Sequence, residues 1–196
     1  DDFFFNCSSQ RQDFLEENRV VIYGHWQSNF IKKIKYMLRK FIQNKFGKIA
    51  EPKYSIAQML SADCIGLSHY YEIHHRPHIL NRSMLKNFFD HNSQLLNKQI
   101  SFKFRNIDQL LPVGLSNHLA IQSNQAVLKA DVEIAYLKDD RNLEQFISDL
   151  ANDEIKFDSI QSLDQLEQNA EQKLSFALTE KFKDVLPSQI KANHQA

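Results

Sequence analysis

Hydrophobic positions along the chain change period near its middle. In "SNFIKKIKYMLRKFIQNKFG" (28–47), Phe30, Ile34, Met37, Leu38, Phe41 and Ile42 recur at helical spacing. Ser28 is a good N-cap and Gly47 a good residue to end the helix. "KYSIAQMLSADCIGL" (53–67) predicts a second helix capped by Ser55. "PHILNRSMLKNFFDHNSQLL", starting at Pro77, predicts a third, because proline suits a first helical turn. "SSQRQDFLEEN" (8–18) reads as a short helix with Ser8 or Ser9 as cap. "RVVIYGHW" (19–26) reads as a short strand that meets Gly24.

Beyond residue 98 the period shortens. "QISFKF" (99–104) alternates, with Ile100, Phe102 and Phe104 on one face. "AVLKADVEIAYL" (126–137) alternates too, with Leu128, Ala130, Val132, Ile134 and Tyr136 against Lys129, Asp131 and Glu133, the mark of a half-buried strand. "HLAIQ" (118–122) offers it a hairpin partner, and "EIKF" (154–157) a further strand. "DDRNLEQFISDLA" (139–151) predicts a short helix, and 162–186 a long one ended by Pro187 before a frayed tail. The pattern predicts an α+β fold: a mostly helical N-terminal half, then a small antiparallel sheet with flanking helices. It predicts one domain over 1–196, helical over about 8–98 and sheet-plus-helix over about 99–190.

Composition supports a globular chain. With 196 residues, 42% hydrophobic, and 15 Phe, it can bury a core without a disulfide or metal staple. Gly and Pro number 4 each, too few for the turns of an all-β sandwich or barrel. Cys7 and Cys64 form no CxxC pair or framework, which points to reduced thiols and a cytoplasmic, reducing compartment. No run approaches the ~20 apolar residues of a transmembrane helix. The first residues, "DDFFFNCSSQ", carry no signal-peptide pattern.

The formal net charge of zero is a cancellation. Residues 1–98 hold 14 Lys/Arg against 9 Asp/Glu, and residues 99–196 hold 10 against 15. From Asn18 to Ala50 there are eight basic residues and no acidic one. From Asp139 to Asp184 there are 12 acidic residues against 5 basic. Such asymmetry suits a partner surface or a self-complementary fold.

Candidate chemistry is sparse. "HYYEIHHRPHIL" (69–80) packs His69, His74, His75 and His78 into ten positions. Pro77 interrupts any single helix that would align His74 with His78, and Glu72-x-x-His75 is only half of a di-iron pattern. There is no HExxH, no glycine-rich phosphate cradle and no GxSxG elbow. Cys64 lies five residues from His69, but sequence proximity does not make a catalytic pair. A helix-turn-helix over 54–71 lacks its turn glycine at the expected offset. No catalytic residue, metal ligand or cofactor is therefore assigned.

These patterns resemble no family we recognise. They favour a non-catalytic interaction protein: an adaptor, a chaperone-like protein or an accessory subunit of a larger assembly. The candidate partner-binding residues are the aromatic run Phe3, Phe4 and Phe5 and the basic residues Lys32, Lys33, Lys35, Arg39 and Lys40. The first alternative is a nucleic-acid-binding regulator using the basic helix 28–47. The second is a metal- or Cys-dependent enzyme using the His69–His78 cluster.

Overall fold

Local backbone chemistry decides most element boundaries in the computed structural model, which describes residues 2–47, 53–161 and 163–185. The Phe run forms strand β1 (Asp2–Phe5). The helix expected over 8–18 does not form. A 3-10 turn at Arg11–Asp13 leads into strand β2 (Leu15–Glu16), which returns through Glu17 and Asn18 into β3 (Arg19–Tyr23). Glu17 and Asn18 have φ of 49° and 64°, the pair of positive values that a tight two-residue hairpin turn requires. The hairpin wins over the capped helix.

Gly24 then breaks the strand expected over 19–26, and β4 (His25–Ser28) follows. A Cβ at Gly24 would lie 2.2 Å from the Glu72 carbonyl oxygen, so this close approach admits only glycine. The basic helix forms as read: α1 (Asn29–Phe46). The Phe30 N–H donates to Ser28 Oγ at 3.3 Å, and Gly47 ends the helix in the left-handed conformation at φ 64°.

α2 (Tyr54–Asp63) begins one residue before Ser55, with Lys53 at the N-cap. The histidine segment opens as a strand, β5 (His69–Glu72). Pro77 starts no helix. α3 (Arg82–His91) begins later, where Asn81 Oδ1 accepts from the Met84 N–H at 3.0 Å. Asn92, at φ −128° and ψ 49°, separates it from α4 (Ser93–Ile100). Residues 99–104, expected as a strand, instead finish α4 and turn. "HLAIQ" belongs to α5 (Pro112–Gln122), with Pro112 in its first turn, and is no hairpin strand.

The long alternating segment splits into β6 (Ala126–Lys129) and β7 (Ala135–Leu137), in different sheets. α6 (Leu143–Leu150) follows a 3-10 turn capped by Asp139, then come β8 (Phe157–Ile160) and α7 (Gln168–Phe182). The proposed helix end at Pro187 and the tail lie outside the described residues. The fold is α+β, with small mixed sheets. Among the described residues no helix is long and apolar enough to cross a membrane.

The chain divides into two compact units that interleave in sequence. The first comprises the described residues of 1–9, 75–77 and 133–196. Its three-stranded sheet has β8 at the centre, antiparallel to β1 and parallel to β7. Its core joins Ala135, Leu137 and Ile160 of the sheet to Leu143 and Phe146 of α6 and Ala170 and Leu174 of α7, with Phe4 packed against them.

The second unit comprises 10–74 and 78–132. Here β3 pairs with β2 antiparallel and with β6 parallel, while β4 and β5 form a separate antiparallel ribbon. The core lies around Ile56, Met59, Ala62 and Tyr70, and around Ile22, Tyr71 and Ile73. Buried polar side chains stitch helices to β5 and the residue after it. Gln58, fully buried on α2, accepts from the Ile73 N–H at 2.8 Å and donates to the Ile73 carbonyl at 3.0 Å. His118, fully buried on α5, accepts the Tyr71 N–H at Nε2, 2.9 Å away. Burial pushes its pKa down to about 4, so the ring is neutral and the acceptor nitrogen stays free.

Candidate functional site

α1 is amphipathic, and its polar face points into the fold. Asn29 is buried: its N–H donates to the Ser68 carbonyl at 3.1 Å and its side chain to the Leu67 carbonyl at 2.7 Å. One turn on, Lys33 Nζ bridges both carboxylate oxygens of Asp63 at 2.8 and 2.9 Å. Tyr36 packs beside the α2 cluster and donates its hydroxyl to Asp108 at 2.6 Å. Lys40 donates to Asp108 at 2.8 Å and to the Tyr36 oxygen at 3.1 Å. Burial alone would raise the Asp108 carboxyl, but the hydrogen bonds from Lys40 and Tyr36 hold it below its ordinary value. The inward stripe of α1 thus has helical spacing, at 29, 33, 36 and 40, and is polar.

The apolar stripe is left outside. Phe30, Ile31, Ile34, Met37, Leu38, Phe41 and Ile42 are all exposed, from 37% at Ile42 to 70% at Phe30. They occupy an arc of the helix about 140° wide, at ~100° per residue. Phe46 is exposed as well, and Lys45 lies over both the Phe41 and Phe46 rings at 5.6 Å. Single exposed apolar residues are ordinary on a folded surface, whereas a contiguous helix-long apolar face is not.

The basic residues singled out in the sequence therefore do different things. Lys33 and Lys40 pair with Asp63 and Asp108, and Lys32 approaches Glu72 at 3.8 Å. All three acids belong to the same unit as α1 and lie outside the acidic stretch 139–184. Lys35 is exposed and Arg39 half-buried. The aromatic run is divided as well. Phe4 packs into the core of its own unit and meets Phe182 edge-on at 5.6 Å. Phe5 is 43% exposed, with its ring against Phe157 at 5.9 Å. Phe3 stands in β1 opposite Ser159, and its side chain lies outside the described residues.

The histidine segment does not act as a cluster. His69 faces Ser68 Oγ at 3.0 Å, His75 stacks flat on Tyr136 at 5.6 Å, and His78 Nε2 lies 3.0 Å from the His74 carbonyl. His74 instead joins His25 and Asp131, whose carboxylate lies 2.6 Å from His25 Nδ1 and 3.6 Å from His74 Nε2. Sequence reasoning missed this group, because His25 and Asp131 are 106 residues apart and neither carries a motif. Cys64 is no activated nucleophile. The residue as a whole is exposed, but its sulfur sits against the end of α2, 3.2 Å from the Ser61 carbonyl. That local burial, with the charge of Asp63, pushes the thiol up to about 11 and keeps it protonated. The 54–71 segment runs from a helix into a strand, so it builds no helix-turn-helix.

Comparison with known protein families, curated proteins and solved structures finds nothing that matches this chain.

Proposed function

We propose that the chain is a non-catalytic interaction protein, an adaptor or accessory subunit of a larger assembly. It docks the outward apolar face of α1 into an apolar groove of a protein partner. The observation that carries this reading is the orientation of α1, with polar residues inward and seven apolar residues of one arc outward. A helix seated in a groove is read through anchors at i, i+4, i+7 and i+11, which here are Phe30, Ile34, Met37 and Phe41.

The charge pattern favours a protein over a nucleic acid or an anionic lipid surface. Lys32, Lys33 and Lys40 lie beside carboxylates of their own unit, which leaves less free positive charge for phosphate. Cys7 and Cys64 are free thiols, in keeping with a reducing, cytoplasmic setting.

The test compares wild type with a Leu38→Asp/Phe41→Asp variant. Both are used for affinity capture at low and high salt, with quantitative mass spectrometry. A stoichiometric protein that survives high salt on wild type and is lost on the variant is expected. A protein held equally by both variants would place the function elsewhere. Nucleic acid or lipid vesicles bound in its stead, and released by salt, would replace the reading with an electrostatic one.

A further inference from the structure

His25, His74 and Asp131 meet because three strand ends are tied together. In the β4–β5 ribbon, His25 stands opposite Glu72, and His74 follows two residues later. The Lys129 carbonyl, at the end of β6, accepts from the Gly24 N–H at 3.0 Å and from the Tyr71 hydroxyl at 2.7 Å. Those two bonds pin β6 to the β3–β4 corner and to β5. Asp131, two residues on, therefore arrives beside His25. Each of the three residues offers one ligand atom, and these atoms lie within 4.8 Å of one another.

We propose that His25 Nδ1, His74 Nε2 and the Asp131 carboxylate bind a divalent first-row cation of the zinc class, with a fourth position open to solvent. Two imidazoles and one carboxylate form a borderline donor set that suits such an ion better than calcium or magnesium, which favour all-oxygen ligands. Zinc–ligand distances near 2.0–2.2 Å put tetrahedral ligands about 3.3 Å apart. The 2.6 Å separation of His25 and Asp131 opens to reach this, and His74 swings inward from 3.6 Å. All three side chains are substantially exposed, so these are side-chain rotations at a fixed backbone.

A second carboxylate also lies near the His25 ring, its cross-strand partner Glu72. The second His25 nitrogen, Nε2, faces Glu72 Oε2 at 3.9 Å. Glu72 is itself held by the Tyr70 hydroxyl at 2.9 Å and approached by Lys32 at 3.8 Å. A metal-bound histidine typically turns its other N–H to a carboxylate that is fixed in turn.

The ion would fasten β4, the end of β5 and the segment after β6, and so stabilise the second unit as a ligand stabilises the state it binds.

The test uses tag-free full chain. Zinc binding is followed by calorimetry and thermal shift, and cobalt(II) binding by its visible ligand-field absorption. Wild type is expected to take one equivalent, with a rise in Tm and a tetrahedral cobalt spectrum. His74→Ala and Asp131→Ala are expected to bind roughly tenfold weaker or worse, and Glu72→Gln roughly tenfold weaker, with circular dichroism unchanged. His69→Ala is expected to match wild type. Binding that survives His74→Ala, binding lost equally in His69→Ala, or no saturable binding by wild type would each overturn the proposal.

Discussion

α1 and α6 are both amphipathic helices, and they use their amphipathicity in opposite ways. α6 turns Leu143, Phe146 and Leu150 into the core of its unit, and charged residues such as Glu144 and Asp149 outward. α1 turns Asn29, Lys33, Tyr36 and Lys40 inward and its phenylalanines outward. A helical period in a sequence therefore shows that an apolar face exists, while the acids waiting on the neighbouring elements decide which way it points. Asp63 and Asp108 capture the lysines of α1. The core of the other unit offers α6 mainly apolar surface.

The largest effect that sharpens this contrast is a truncation in α6. Phe146→Ala empties a fully buried site and is expected to cost about 3–5 kcal/mol in urea unfolding. Phe41→Ala on α1 is expected to stay within about 0.5 kcal/mol, because its ring is 58% exposed. Comparable losses would mean that the α1 face is covered.

The two units should also respond to pH in opposite senses. Asp158 of the first unit is fully buried on β8, and among the described residues neither of its oxygens has a hydrogen-bond partner. Burial, with a smaller push from Asp149, raises its carboxyl to about 7 against the attraction of Lys181. The unfolded chain loses this proton near 3.8, so stability falls as pH rises from about 4 to about 7, by a few kcal/mol, ~1.4 kcal/mol for each unit. Asp158→Asn is expected to abolish that slope, read by hydrogen exchange of the β8 amides.

His118 of the second unit runs the other way. Unfolded, it takes a proton near 6.5; folded, only near 4. Stability is full above about pH 6.5 and falls by about 3 kcal/mol as pH drops to about 4, because a protonated Nε2 cannot accept the Tyr71 N–H. Trp26, the chain's one tryptophan, lies in this unit and gives its unfolding a fluorescence signal. An acid-insensitive Trp26 transition would contradict this account. A modest change is expected at the inner face of α1. Asp108→Ala should cost about 1 kcal/mol, since its pair with Lys40 is partly solvated but is shared with Tyr36.

α1 was the most legible element, because cap, stripe and terminal glycine all agree within twenty residues. Some sequence readings failed because distant partners decided, others because a local turn or cap did. The alternation of 126–137 suggests one strand, yet its first part pairs with β3 and its last part with β8, and Ala135 and Leu137 are the buried positions, not Ile134 and Tyr136, a choice that local pattern does not encode. Residues 118–122 offer a hairpin partner by sequence alone, but they fall in the helix that starts at Pro112. Of the candidate partner residues, the lysines were visible as charge. The inward direction of Lys32, Lys33 and Lys40 was not, because it depends on Glu72, Asp63 and Asp108, and no short-range pattern links these acids to α1. The His25–His74–Asp131 group was illegible for the same reason.

The pairing of β1 with β8 has a consequence for how the chain is made. Asn6, just after β1, donates to the carbonyls of Asn152 and Ile155, 146 and 149 residues further on. At ~5–20 residues per second on a ribosome, β1 waits on the order of ten seconds or more for its partner strand. The residues of the second unit are complete by Val132, before β8 is made. Synthesis therefore imposes an order in which phenylalanine-rich β1 is made before the second unit and its partner strand β8 only after it. That interval is when a cell's holding chaperones would have most to do for this protein.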